Sequence, residues 1–166
     1  TPQQKIQKTK IFGGENVSIQ LVGDYFDDCL KAAQSFCQEQ GAHFLSPFDD
    51  ADVIEGQASV AVEIERQLGS TPDHIILPVG GGGLSSGMLS YFGTSSQFTL
   101  VEPLGGGCLW AALIAGKPVK LDKVDTFADG AAVVQIGQRT FECLKSIGLA
   151  NVLRIPEDRI CITMLE

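Results

Sequence analysis

Four consecutive glycines stand in residues 78–87, PVGGGGLSSG, between an apolar run and a short helical pattern. Glycine accepts positive φ and leaves no side chain in the way, so consecutive N–H groups can converge on one point. A helix starting just after them adds the positive end of its dipole, and together these make an anion site. Two competing motifs fit less well. A nucleotide P-loop requires a lysine where Leu84 stands. Gly80, Gly82 and Gly87 imitate a dinucleotide fingerprint only loosely, although Glu102 falls at roughly the required distance. A tight strand-to-helix turn without any ligand stays open on the local sequence.

The other reactive residue types are scattered. Five cysteines, Cys29, Cys37, Cys108, Cys143 and Cys161, form no C-x-x-C pair and are odd in number. Reduced thiols are expected, with neither a disulfide framework nor a zinc site. His43 and His74 lie apart, each flanked by strand-like apolar residues, and both read as structural.

The elements around the glycines alternate in type. Strands are predicted at residues 17–23, 42–45, 74–79, 97–101 and 151–155, and helices at 25–40, 49–68, 84–92, 107–115, 140–147 and 157–165. Asp24 is the expected cap of the first helix and Gly41 its stop. The continuous HIILPV run suggests a strand buried on both faces. Residues 117–130 read as loop. Strands alternating with helices imply a mostly parallel α/β sheet with flanking helices, in a single domain covering residues 1–166.

With 166 residues, 44% of them hydrophobic, one core is expected. The net charge of −8 argues against nucleic acid or an anionic membrane as partner. No run is long enough to span a membrane, and the polar amino terminus has no secretory pattern. A cytoplasmic location is expected.

Four blocks in order, SPFDDADVIEGQASVAVEI (residues 46–64), PVGGGGLSSG, VEP (101–103) and DTFADGAAV (125–133), give the chain a resemblance to the fold type II pyridoxal-phosphate (PLP) enzymes. Within that family it is most similar to the threonine and serine dehydratases and serine racemases. The FDD-x-x-VI-x-GQ form and TFADG favour threonine dehydratase. The resemblance implies a three-layer, tryptophan-synthase-β-like fold, mainly its large domain, with PLP as cofactor. It places Gly80, Gly81, Gly82, Gly83 and Leu84 around the cofactor phosphate. It puts Asp129 near the cofactor side, with the turn-capping role of a loop aspartate as the alternative. Gln57 also lies in a family block, although Ala58 and Ser59 replace the usual Gly-Thr. Some relatives hold a divalent cation at positions matching Glu102, Gly106 and Cys108. A soft thiol suits magnesium or calcium poorly, so no metal is expected. For Glu102 the alternative is a solvent-exposed carboxylate at a strand end.

The family's S-F-K-x-R-G motif, which carries the Schiff-base lysine, and its S-S-G-N-H-A loop do not occur here. The resemblance therefore implies an internal fragment with no catalytic residue of its own, inactive in isolation. Its parent would deaminate L-threonine to 2-oxobutanoate and ammonia, as a homo-oligomer acting on a small amino acid. Alternatives are a serine dehydratase or serine racemase fragment, a non-catalytic binding module lacking the lysine, and a nucleotide-binding α/β domain.

Overall fold

Apolar side chains stabilise a helix or strand chiefly where a neighbour covers them, and here the core of buried residues lies between Ile54 and Val152. The structure, a computed structural model, describes residues 3–23 and 26–166. It divides into two compact units, Thr1–Leu45 and Ser46–Glu166.

The first unit holds α1 (Gln3–Gly13), a 3-10 turn at Gly14–Asn16 and α2 (Phe26–Gln40). Helix α1 is polar and was not expected from the apolar pattern. Helix α2 follows the predicted spacing and ends just before Gly41, while the proposed cap Asp24 lies outside the described residues. The strands expected at 17–23 and 42–45 do not form and are irregular chain without a ladder. Their β-branched and apolar residues suit a paired surface. Among the described residues, neither stretch has a strand paired with it.

The second unit begins with α3 (Ala51–Gln57) and α4 (Ser59–Leu68). Asp50 caps α3, its Oδ1 accepting from the amides of Asp52 at 2.9 Å and Val53 at 3.4 Å. The single helix expected over 49–68 is thus broken at Ala58. The break lies against α5 (Gly83–Phe92), where a Cβ on Gly87 would come within 2.6 Å of the Ile54 carbonyl and 2.7 Å of the Ala58 nitrogen. Gly87 is the residue that lets the backbones approach so closely.

Strands β1 (His74–Pro78), β2 (Gln97–Pro103) and β3 (Val152–Ile155) form a parallel sheet in the order β1-β2-β3. Helix α6 (Cys108–Ala115) follows β2, α7 (Gln138–Leu144) precedes β3, and α8 (Glu157–Leu165) follows it. Ile75, Phe98, Leu100 and Val152 share the buried face with Met88 and Phe92 of α5, Leu109 and Ala112 of α6, and Phe141 and Leu144 of α7. Burying each of the larger side chains among them contributes about 1.5–3 kcal/mol. The parallel sheet with flanking helices is the expected class. Strand β1, however, is not buried on both faces: it is an edge strand, with Ile76 67% exposed.

Candidate functional site

Strand β1 delivers the chain to the glycines and α5 carries it away, so the loop stands at the carboxyl end of a parallel strand, where α/β sheets bind ligands. Gly82, at φ +90°, is the residue before α5 and leaves the helix without a side-chain cap. The first helix amide to find a partner is that of Ser86, which donates to the Gly82 carbonyl at 2.9 Å. Those of Gly83, Leu84 and Ser85 belong to the first turn, which has no intrahelical acceptor.

Three of the loop carbonyls are engaged. Gly80 O accepts from the Cys108 thiol at 3.3 Å, and Gly81 O accepts from the Thr140 hydroxyl at 2.8 Å. Gly82 O accepts the Ser86 amide. A trans peptide holds its N–H opposite its C=O. Anchoring these three carbonyls therefore aims the amides of Gly81, Gly82 and Gly83 the other way.

Gly80, Gly81, Gly82, Gly83 and Leu84 line a cavity of about 770 Å³. Phe48 and Asp129 stand on other parts of its wall, with Ile160 and Met164 of α8. The Phe48 ring packs over Gly81, in space that a side chain there would need. The volume lies in the range of small-molecule and cofactor sites. Among the described residues, no lysine or arginine lines the cavity. A phosphate there would meet backbone amides and a helix N-terminus, and the bare glycine wall fits that group.

The remaining predicted residues are placed elsewhere. Glu102, at the end of β2, is 0% exposed, which overturns the alternative of a solvated strand-end carboxylate. Its oxygens accept from the amides of Leu109 at 2.8 Å and Trp110 at 2.9 Å, so it caps α6 from the preceding strand. Burial pushes its carboxyl above the usual range, against the lowering pull of those amides. Burial, with Glu102 beside it, also pushes the Cys108 thiol up to about 12, so that side chain is a neutral donor. Gly106 is buried next to them, and no cluster suited to a metal occurs among the described residues. Gln57 ends α3 and backs onto Gly87 rather than lining the cavity. His74 pairs with Thr99 across the sheet, its Nε2 lying 2.8 Å from Oγ1.

Sequence reading missed Phe48, Thr140, Ile160 and Met164. Phe48 sits inside a block that was singled out. Thr140 gives no local signal, because its link to Gly81 spans 59 residues.

Comparison with known proteins agrees with this geometry. The chain matches the family described as "Pyridoxal-phosphate dependent enzyme" over residues 1–166. It is 41% identical over 169 residues to the biosynthetic L-threonine dehydratase of Bacillus subtilis, covering 100% of this chain and 40% of that protein. For the Lactococcus lactis counterpart the identity is 40% over 172 residues, covering 100% and 41%. The chain thus spans about two fifths of the length of the curated relatives it matches. Among solved structures, the processed threonine deaminase isoform 2 of Solanum lycopersicum superposes with a TM-score of 0.85 at 36% identity, over 96% of this chain and 46% of that one. Maize serine racemase gives 0.85 at 26% identity, over 99% and 49%. The glycine loop at the end of a parallel strand is thereby given its context: the chain belongs to the pyridoxal-phosphate-dependent enzymes.

Proposed function

We propose that this chain supplies the phosphate-holding wall of a PLP-dependent enzyme that deaminates L-threonine to 2-oxobutanoate and ammonia. The observation that carries the reading is the glycine loop, with three of its carbonyls tied up and its amides aimed away from those anchors, at the uncapped start of α5 beside the cavity. Gly80, Gly81, Gly82, Gly83 and Leu84 hold the phosphate through backbone N–H groups and the helix dipole. Phe48 packs on Gly81 and Gly83 and so helps to fix the loop. Asp129, which shares the cavity wall with the glycines, faces the body of the ligand. Glu102 orders α6, whose Cys108 steadies the Gly80 carbonyl. When bound, PLP supplies an electron sink for bond breaking at the substrate's Cα.

Among the described residues no lysine lines the cavity, and the proton-transferring amine of the proposed reaction is supplied from another part of the catalytic region. Threonine is preferred as substrate because the dehydratases of two bacteria match at 40% identity or more. The superposition on serine racemase supports a second reading, with serine as substrate. The net charge of −8 supports a small amino acid over nucleic acid or an anionic membrane as partner, and a cytoplasmic homo-oligomer is part of the same proposal.

Titration of the chain with PLP and with pyridoxal, followed by borohydride reduction and mass spectrometry, tests the phosphate site. Saturable binding that requires the phosphate, without a covalent adduct on one defined lysine, is expected. Equal binding of both compounds would refute the phosphate site, and a single defined adduct would place the amine within this chain. Complementation with the remaining segment of the Bacillus subtilis relative then decides the substrate. More 2-oxobutanoate from threonine than pyruvate from serine is expected, and the reverse would favour the serine reading.

A further inference from the structure

We propose that Thr140, held in place by Asp49, is a positioning residue for the cofactor phosphate: its hydroxyl fixes the Gly81 carbonyl and thereby aims the Gly82 amide at the ligand. The inference rests on the phosphate site proposed above and names residues outside the loop that give it its orientation.

Thr140 is fully buried. Its Oγ1 lies 2.8 Å from Gly81 O and 3.2 Å from Gly137 O, and it carries one proton, which the shorter contact takes. Gly81 and Gly82 share the peptide whose carbonyl is so held, and peptide planarity turns its N–H away from Thr140. The alternative for that carbonyl is to flip. A glycine at φ +90° is among the few backbone positions where a peptide flip meets little steric resistance, so an external anchor is needed to select one orientation.

The anchor is itself held from a distance. The Asp49 carboxylate accepts from the amides of Arg139 at 2.7 Å and Thr140 at 3.2 Å through Oδ1, and from Gln138 at 3.0 Å through Oδ2. These are the opening amides of α7, which has no side-chain cap of its own. Asp49 is in turn fixed by its amide, which donates to Ser46 Oγ at 3.0 Å. Its neighbour Phe48, which also lines the cavity, packs on Gly81 and Gly83. Two adjacent residues of the SPFDD block therefore act on the same glycines, Phe48 directly and Asp49 through Thr140. The Ser86 hydroxyl, donating to Thr140 O at 3.4 Å, ties α5 to the same point.

A hydroxyl that merely satisfied a buried carbonyl would contribute to stability and nothing more. The test separates these roles by measuring the affinities of PLP, pyridoxal and inorganic phosphate for the wild-type chain, Thr140→Val and Thr140→Ser. Loss of one oriented amide is expected to weaken PLP and phosphate binding about tenfold in Thr140→Val. Pyridoxal, which lacks the phosphate, should be unmoved, and Thr140→Ser should restore PLP affinity to within about twofold of wild type. Wild-type affinity for PLP in a folded Thr140→Val chain would overturn the positioning role while leaving the phosphate site intact. So would an equal loss for PLP and pyridoxal. Failure of the wild-type chain to discriminate PLP from pyridoxal would instead sink the phosphate site itself, and this inference with it. Should Thr140→Val not fold, amide NMR of the wild type and of Asp49→Asn decides the matter. Phosphate should shift the Gly82 amide in the wild type and shift it less in Asp49→Asn, and equal shifts in both would overturn the inference.

Discussion

Glu102 is the clearest case of a residue whose type was legible and whose job was not. The VEP block marked it as a candidate ligand, yet both carboxylate oxygens turn inward to the first amides of α6. Such a carboxylate is doubly placed: the helix dipole and two N–H donors favour its charge, and burial opposes it. Burial wins, and the carboxyl sits above the usual range. The sign of the pH dependence follows. A group whose folded-state pKa is raised contributes its full stability below the usual carboxylate range and loses it as pH rises through the folded value. Glu102→Gln removes that titration and also one acceptor for a buried amide, at a cost of about 1–3 kcal/mol. Urea denaturation from pH 4 upward should show the variant furthest below wild type at the acid end, the gap narrowing as pH rises. A gap that widened with pH would mean that the charged form is the one the fold favours.

Elements were legible where a short apolar run lay between turn residues. The strands at 74–78, 97–103 and 152–155 and the helix at 157–165 stand where periodicity put them. It failed where β-propensity had no ladder partner, at 17–23 and 42–45, and where a tertiary contact overrode a continuous helical pattern, at Ala58. That contact makes Gly87 a sharp test of competing effects. Alanine is favoured over glycine inside a helix by about 1 kcal/mol. Here its Cβ would fall within 2.6 Å of the Ile54 carbonyl and 2.7 Å of the Ala58 nitrogen, both backbone atoms that cannot swing aside. Overpacking against a fixed neighbour costs about 1–3 kcal/mol. The clash therefore outweighs the propensity, and Gly87→Ala should lower the denaturation midpoint. A higher midpoint would show that α3 and α5 can separate cheaply.

At the scale of the whole molecule, the sequence blocks identified the family and the glycine loop marked a candidate anion site, because both are local patterns. What the sequence could not display is how distant residues hold the loop: Asp49 reaches Arg139 across 90 positions, and Thr140 reaches Gly81 across 59. The loop, its supports and the cavity wall all lie within Ser46–Glu166. A phosphate ligand bound there should therefore stabilise that unit as a whole by mass action. At a free concentration one hundred times its Kd, a ligand that binds only the folded state adds about 2.7 kcal/mol. For a chain of this size each kcal/mol raises Tm by about 2–4 °C. PLP at that concentration should thus raise the melting temperature by about 5–10 °C. Pyridoxal reacts equally with exposed lysines in the folded and unfolded chain but lacks the phosphate, so it should leave the melting temperature where it was. A shift of equal size with pyridoxal would place the stabilisation at the lysines and not at the glycine loop.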